Sequence, residues 1–276
     1  MPTVRVAAVS DVHVSKTSQG SLAPLFAQIA EHADVLVLGG DLTDYGLPEE
    51  ARILVKELGP IRMPVVAVLG NHDYESGNVD EVCDILRDAG IKLLDGESVE
   101  VSGIGFAGVK GFAGGFGRGV LGAWGEPAIK AFVKEAIDEA LKLETALARL
   151  RTRQKVAVLH YAPIRATVEG EPLEIFPYLG CGRLEEPLTR YRVTAVVHGH
   201  AHNGALEGQL ANGTPVYNVA LPLFKRRTPD APPYRILEID PEATLPGESP
   251  AGAYEGMERR RAAHDGKQAV TTAVAG

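Results

Sequence analysis

Five short apolar runs in this chain each end on residues that can bind a metal, and that repetition constrains the fold more than any other feature. VRVAAVS (4–10) leads into Asp11 and His13, and DVLVLGG (34–40) leads into Asp41. PVVAVLG (64–70) is followed by Asn71, His72 and Asp73. KVAVLH (155–160) ends on His160, and VTAVVHG (193–199) carries His198 and leads into His200 and His202. β-Branched runs of this length, alternating with helical patterns, predict βαβ units and an α/β fold. Ligands of α/β sheets bind beyond the carboxyl ends of the strands, so all five clusters are expected on one rim. Six of the eight histidines fall in these clusters, which leaves only His32 and His264 elsewhere.

Between the strands, helices are expected over 21–32, 48–58 and 79–90. Pro48 suits a first helical turn, and Gly90 suits a helix stop. Residues 91–109 interleave turn residues with β-rich pieces and read as hairpin material. Residues 111–125, GFAGGFGRGVLGAWG, are the glycine-richest stretch. They fit either a loop that approaches a ligand closely or a plain connection. A long amphipathic helix follows over 126–150, and PVYNVAL (215–221) and YRILEID (234–240) complete the β material. A single domain over 1–240 is expected. Residues 241–276, rich in Ala, Gly, Pro and charge, are expected to form a peripheral or mobile extension.

The donor set determines which ions suit the rim. Asp11, His13, Asp41, Asn71, His160, His200 and His202 offer carboxylates, imidazoles and one amide oxygen, without a thiolate. Mixed N/O donors favour Mn, Fe, Zn, Co or Ni over an all-oxygen Mg or Ca cage. Seven candidates exceed the four that one tetrahedral ion takes, so two ions are expected. A formal net charge of -8 disfavours a duplex nucleic-acid surface. The basic stretches FKRR (224–227) and ERRRAAH (258–264) are short and read as solvated surface. Two cysteines, Cys83 and Cys181, make no disulfide framework. No run approaches the roughly 20 apolar residues of a membrane span, and the first residues lack a secretory pattern. A cytoplasmic location without membrane contact is expected.

The order D-x-H, G-D, G-N-H-D, H, G-H-x-H resembles the calcineurin-like metallophosphoesterase superfamily over about residues 4–224. The resemblance implies a four-layer α/β/β/α sandwich in which two mixed sheets face each other and the site lies on one edge. It implies one ion held by Asp11, His13, Asp41 and His202, and a second held by Asp41, Asn71, His160 and His200. Asp41 would bridge them, and the reaction would be phosphoester hydrolysis by a metal-bridging hydroxide, with Mn, Fe or Zn as the expected ions. His72 would approach the phosphate and donate to the leaving oxygen, with Asp73 orienting its ring. His198 precedes the last motif and is expected to support the ligands by hydrogen bonding rather than to ligate.

Departures from relatives narrow the substrate. Protein Ser/Thr phosphatases of this superfamily carry an arginine where GDLTDYG has Tyr45, and read G-N-H-E where this chain reads GNHD. Both differences argue against protein dephosphorylation. The layout is nearest to class III cyclic-nucleotide phosphodiesterases and bacterial-type small-molecule phosphatases, so a small-molecule phosphoester or nucleotide is the expected substrate. Lys110, Arg118 and Arg165 lie in loops and are candidate substrate contacts. Two other readings stand beside this one. A catalytically silent scaffold should lack a ligand, and none is missing. A metal-dependent nuclease would want a basic path that the acidic balance does not provide.

Overall fold

A computed structural model describes residues 2–244. The first sheet takes β1 (Val4–Val9), β2 (Val35–Gly39), β3 (Val65–Val68), β4 (Lys92–Leu93) and, at the chain's end, β11 (Arg235–Ile239), in the order β11-β1-β2-β3-β4. The second takes β5 (Glu97–Val101), β6 (Ile104–Val109), β7 (Lys155–Leu159), β8 (Ala195–His198), β9 (Glu207–Gln209) and β10 (Pro215–Asn218), in the order β5-β6-β7-β8-β10-β9. Strands β1 to β4 run parallel, as do β6, β7, β8 and β10, with antiparallel strands at the edges.

Side-chain alternation sorts the residues into four layers, because successive strand residues face opposite sides of a sheet. Ala7, Val9, Leu36 and Leu38 turn outward against α1 (Ala23–His32), α2 (Pro48–Glu57) and α3 (Val79–Asp88), meeting Phe26, Ile29, Leu54, Val82 and Leu86. Their neighbours Val6, Ala8, Val35 and Val37 turn inward and meet Ile104, Phe106, Val156 and Val158 of the facing sheet. On the far side, Ala107, Val109, Ala157 and Leu159 pack against Leu143 and Leu147 of α4 (Pro127–Arg149). Each fully buried side chain of Leu or Phe size contributes about 1.5–3 kcal/mol, so both faces of both sheets favour the sandwich. The strands are therefore nearly continuous apolar runs, as the sequence shows.

The helices fall where the sequence places them. The last turn of α3 ends at Gly90 with φ +85; Gly90 N–H donates to the Arg87 carbonyl (2.9 Å) and Ile91 N–H to Leu86 (3.2 Å). That pair of bonds satisfies the terminal carbonyls, and a left-handed residue makes it possible. The hairpin expectation for 91–109 is met only in part. β5 and β6 pair as a hairpin in the second sheet, whereas β4 lies beside β3 in the first. This segment crosses between the sheets: Ile91 and Leu93 pack in the outer layer with α3, whereas Leu94, Val101 and Phe106 pack between the sheets.

Three short helices complete the architecture: α5 (Phe176–Leu179), α6 (Glu185–Arg190) and α7 (Leu221–Arg227). FKRR forms the last turn of α7, where cations favour the helix carboxyl end. Among the described residues, no helix is long and apolar enough to cross a membrane. Cys83 and Cys181 are both free thiols. Nearly all of the expected 241–276 extension, from 245 on, lies outside the described residues.

Candidate metal centre

The carboxyl ends of β1, β2 and β3 meet those of β7 and β8 along one edge of the sandwich. Strand pairing continues into the loops: Asp11 N–H donates to Gly40 (3.0 Å), His13 N–H to Asp41 (3.0 Å) and Asp44 N–H to Val14 (3.0 Å). The second sheet joins through Ser10 N–H, which donates to the Val219 carbonyl beyond β10 (2.9 Å), and within that sheet Gly199 N–H donates to the His160 carbonyl (3.1 Å). These bonds bring segments far apart in sequence to one rim.

The backbone there is forced. Six non-glycine residues with positive φ occur among the described residues, and four of them are expected ligands: Asp11 (56°), His13 (43°), Asp41 (48°) and His200 (68°). Such conformations cost on the order of 1–3 kcal/mol each and persist only where the surroundings over-determine them. Two glycines make the crowding possible. A Cβ at Gly70 would lie 2.1 Å from Asp41 Oδ1, and one at Gly199 would lie 2.1 Å from Asp11 Oδ2.

The candidate donors sort into two groups able to hold a cation, Asp11–His13–His202 and Asp41–His160–His200. Asp41 faces both, with Oδ2 3.7 Å from His13 Nε2 and Oδ1 3.4 Å from His160 Nε2. Asn71 Oδ1 lies 3.0 Å from His160 Nε2. All seven residues expected from the sequence therefore stand together.

The donor set fits cations. Both ring nitrogens of His13 are buried and have no hydrogen-bond partner. Burial holds the His13 ring below its ordinary pKa, and so keeps it neutral. His160 Nδ1–H donates to the Gly39 carbonyl (3.0 Å), which leaves Nε2 directed at the oxygens of Asn71 and Asp41. Two oxygens facing Nε2 call for positive charge between them, either a proton on the ring or a bound cation. Burial works against protonating His160, yet Asp41 and Asp11 raise its pKa to about 9, which shows how strongly the rim favours positive charge. His200 Nε2–H donates to the Tyr178 carbonyl (3.2 Å) and leaves Nδ1 as the donor to an ion. Burial, with the neighbouring His160, lowers its pKa to about 4.

The carboxylates are held ionised. Burial raises the pKa of Asp11, but the bond from His202 (2.9 Å) and the charge of His160 outweigh it and place the group below its ordinary value. Asp11 also accepts the His200 N–H (3.0 Å). Burial likewise opposes Asp41, and His160 prevails.

His72 and Asp73 differ from the expected pair. His72 Nδ1–H donates to the Asp44 carbonyl (2.7 Å), so a backbone oxygen, not Asp73, sets the ring's tautomer and frees Nε2. Asp73 is fully buried and uses both oxygens on Gly70 N–H (2.8 Å), Thr43 N–H (2.8 Å) and the Thr43 hydroxyl (2.6 Å). It ties the loop after β3 to the loop after β2, which corrects the sequence expectation that it orients His72. A carboxylate adjacent in sequence points the opposite way in the turn His72–Tyr74.

Asp44 is the residue that sequence reasoning missed. Its Oδ1 lies 3.4 Å from His13 Nδ1, and with His13 and His72 it forms a third donor group. The signal was present as the second aspartate of GDLTD. His198 is fully buried, with Nε2 2.8 Å from the Thr167 hydroxyl and Nδ1 2.8 Å from the Gly199 carbonyl. Both nitrogens are engaged, and the support it provides is to the turn carrying His200 rather than to a ligand ring.

The three cationic candidates occupy different settings. Lys110, at the end of β6, is mostly buried, and its carbonyl accepts the N–H groups of His160 and Tyr161 (3.0 Å each). Arg118 is exposed on the turn Gly117–Gly119. Arg165 is exposed and paired with Glu169 (2.8 Å). The glycine-rich stretch is pinned to residues 177–182: Gly114 N–H donates to Pro177 (2.7 Å) and Gly182 N–H to Gly115 (2.9 Å). It thereby braces the segment whose Tyr178 carbonyl holds His200.

Comparison with known proteins agrees with this geometry. The family model of calcineurin-like phosphoesterases matches residues 4–204. An uncharacterized metallophosphoesterase of Aquifex aeolicus is 31% identical over 103 residues, which span 36% of this chain and 39% of that relative. The fold is shared with phosphopantetheinyl hydrolase from Mycobacterium tuberculosis (TM-score 0.61, 18% identity, 91% of this chain and 99% of that one). It is also shared with GAP50, the anchor in the inner membrane complex of Plasmodium (TM-score 0.52, 16% identity, 80% and 73%). Identities this low show the fold alone.

Proposed function

The chain belongs to the calcineurin-like phosphoesterase family, and from that premise we propose that it hydrolyses a small-molecule or nucleotide phosphoester using two divalent cations. Asp11, His13, Asp41 and His202 would hold one; Asp41, Asn71, His160 and His200 would hold the other. Mn, Fe or Zn suits this donor set. One observation carries the reading: the two carboxylate oxygens of Asp41 face two separate donor groups, one toward His13 and one toward His160. When bound, such a pair supplies Lewis acidity toward phosphoryl oxygens and lowers the pKa of water.

The chain's own residues do the rest. Asp41 and Asp11 supply negative charge that offsets the mutual repulsion of neighbouring cations. Asn71 adds an oxygen without adding charge. His72, fixed at Nδ1 by the Asp44 carbonyl, presents Nε2 to the leaving oxygen and, when that nitrogen also carries a proton, gives it to that oxygen. Asp73 holds the loops after β2 and β3 together, and so sets where Asp41 and His72 stand.

Metal analysis of the purified protein, paired with assays on p-nitrophenyl and bis-p-nitrophenyl phosphate under Mn, Fe and Zn, tests this. Two ions per chain and turnover of at least one ester are expected. Metal-replete protein without turnover of these esters or of a nucleotide panel would replace hydrolysis with a scaffold role.

A further inference from the structure

Lys110 is the strongest unassigned feature near the rim. Its side chain is 12% exposed, an unusual state for an ammonium. Nζ sits among three aromatic rings, 4.9 Å from the centroid of Phe112, 5.4 Å from Tyr161 and 5.7 Å from Tyr74. Ring faces stabilise a cation but leave its N–H groups without acceptors. Of the three donors, one goes to the Gly111 carbonyl (2.8 Å); the nearest carboxylate, on half-exposed Glu135, is 4.0 Å away, beyond hydrogen-bond distance. A mostly buried charge with donors to spare calls for an acceptor.

Its position is built rather than incidental. Gly111 N–H donates to Glu139 Oε2 (2.7 Å), a fully buried carboxylate that also accepts from Lys142 (2.8 Å). Gly111 thus ties the Lys110 head to α4, through its carbonyl on one side and its N–H on the other. At the other end, the Lys110 carbonyl is bonded to the backbone of His160 and Tyr161. The Tyr161 ring neighbours both Lys110 and the rim, its centroid 5.4 Å from Nζ and 4.4 Å from that of His200. Lys110 and Tyr74 also line a crevice of about 400 Å³, with Leu69 and Leu94 among its apolar walls. That volume suits a small organic group. The carboxylates lining it belong to α3 and to Asp95, which is paired with Lys142 (3.0 Å). Arg87 of α3 also lines the crevice, but Asp80, Asp84 and Asp95 outnumber it, so anionic charge is more welcome beside Lys110 than along the rest.

We propose that Lys110 and this crevice form a leaving-group subsite that selects phosphoesters carrying one further anionic group close to the scissile phosphate. This rests on the hydrolytic reading of the rim and adds the chemical class of its substrate. Lys110 donates to the second anion, Tyr74 and the leucines cover the body of the leaving group, and the α3 carboxylates reject a longer run of negative charge.

The test uses glycerol 3-phosphate and 3-phosphoglycerate, a pair distinguished by a single carboxylate. Each is measured as a competitor of p-nitrophenyl ester hydrolysis by the metal-loaded enzyme, and by thermal shift. A charge-assisted hydrogen bond predicts that wild type binds 3-phosphoglycerate about tenfold or more tighter. Lys110→Met should reduce that preference below about threefold, while Lys110→Arg keeps most of it. Should the Met variant fold poorly, Lys110→Gln provides the same comparison. Equal binding of the pair by wild type, binding of neither, or a preference that survives loss of the ammonium overturns the proposal. A protein that turns over no ester yet shows the thermal-shift preference overturns the hydrolytic reading and leaves the subsite standing.

Discussion

The two sheets bring opposite chemistry to the shared edge. The first contributes Asp11, Asp41, Asn71 and Asp73, with His13 as its one candidate imidazole ligand; the second contributes His160, His200 and His202 and no carboxylate ligand. Asp11 and Asp41 stay ionised because the second half's imidazoles face them, as His202 does Asp11 and His160 does Asp41. The second half's imidazoles keep donor nitrogens directed at the edge because carbonyls of Gly39 and Tyr178 take their other nitrogens. Separated, one half is a row of repelling carboxylates and the other a row of buried imidazoles. Docking the sheets completes the two donor groups built on Asp11 and Asp41, whereas His13, Asp44 and His72 already meet within the first half.

Substituting the residue that faces both donor groups should do most damage. Asp41→Asn keeps the shape but halves the charge available to two donor groups; turnover is expected to fall by about 10³-fold or more, with metal content reduced in parallel. Full metal occupancy in that variant would show that the halves bind independently. His72→Ala comes next, with turnover down by about 10²-fold and metal content retained, as read by mass spectrometry of the desalted protein. Metal and activity lost together would place His72 in the structural half of the comparison.

Gly70→Ala tests the crowding between the halves without changing any donor. A methyl 2.1 Å from Asp41 Oδ1 forces the carboxylate aside, at a cost of about 1–3 kcal/mol measured by urea unfolding, together with weaker metal retention. Unchanged stability would mean that the rim yields freely.

The smallest effect concerns the second half alone. Burial, against the opposing bond to Gly199, lowers the His198 pKa to about 4. The unfolded chain takes up that proton near pH 6.5 and the folded chain resists, so the His198 contribution is present above pH 6.5 and lost toward pH 4. Tm measured for wild type and His198→Asn should differ more at pH 7.5 than at pH 5. A gap that widens on acidification would reverse the assignment.

Much of this was legible before any coordinates. Five apolar runs ending on donors determine both the strands and the side of the sheet on which the donors emerge, since β structure places strand ends on a common edge. His160 and His202 could be read that way because a strand leads straight into each. Asp73 could not: it neighbours His72 in sequence, but a three-residue helical turn sends the two side chains to different partners. Asp44 escaped notice because its effect works through its carbonyl as much as its carboxylate, and a backbone oxygen has no sequence signature.

Residue type and spacing along the chain thus determined which groups can bind a cation and which elements carry them. The tertiary structure alone decided how Asp41 divides its oxygens, which nitrogen each imidazole leaves open, and that Lys110 is enclosed by rings. Those outcomes depend on contacts between segments tens to nearly two hundred positions apart, such as His200 N–H with Asp11. Periodicity is a local property of the chain, whereas hydrogen-bond direction is settled only when distant backbone and side chains meet.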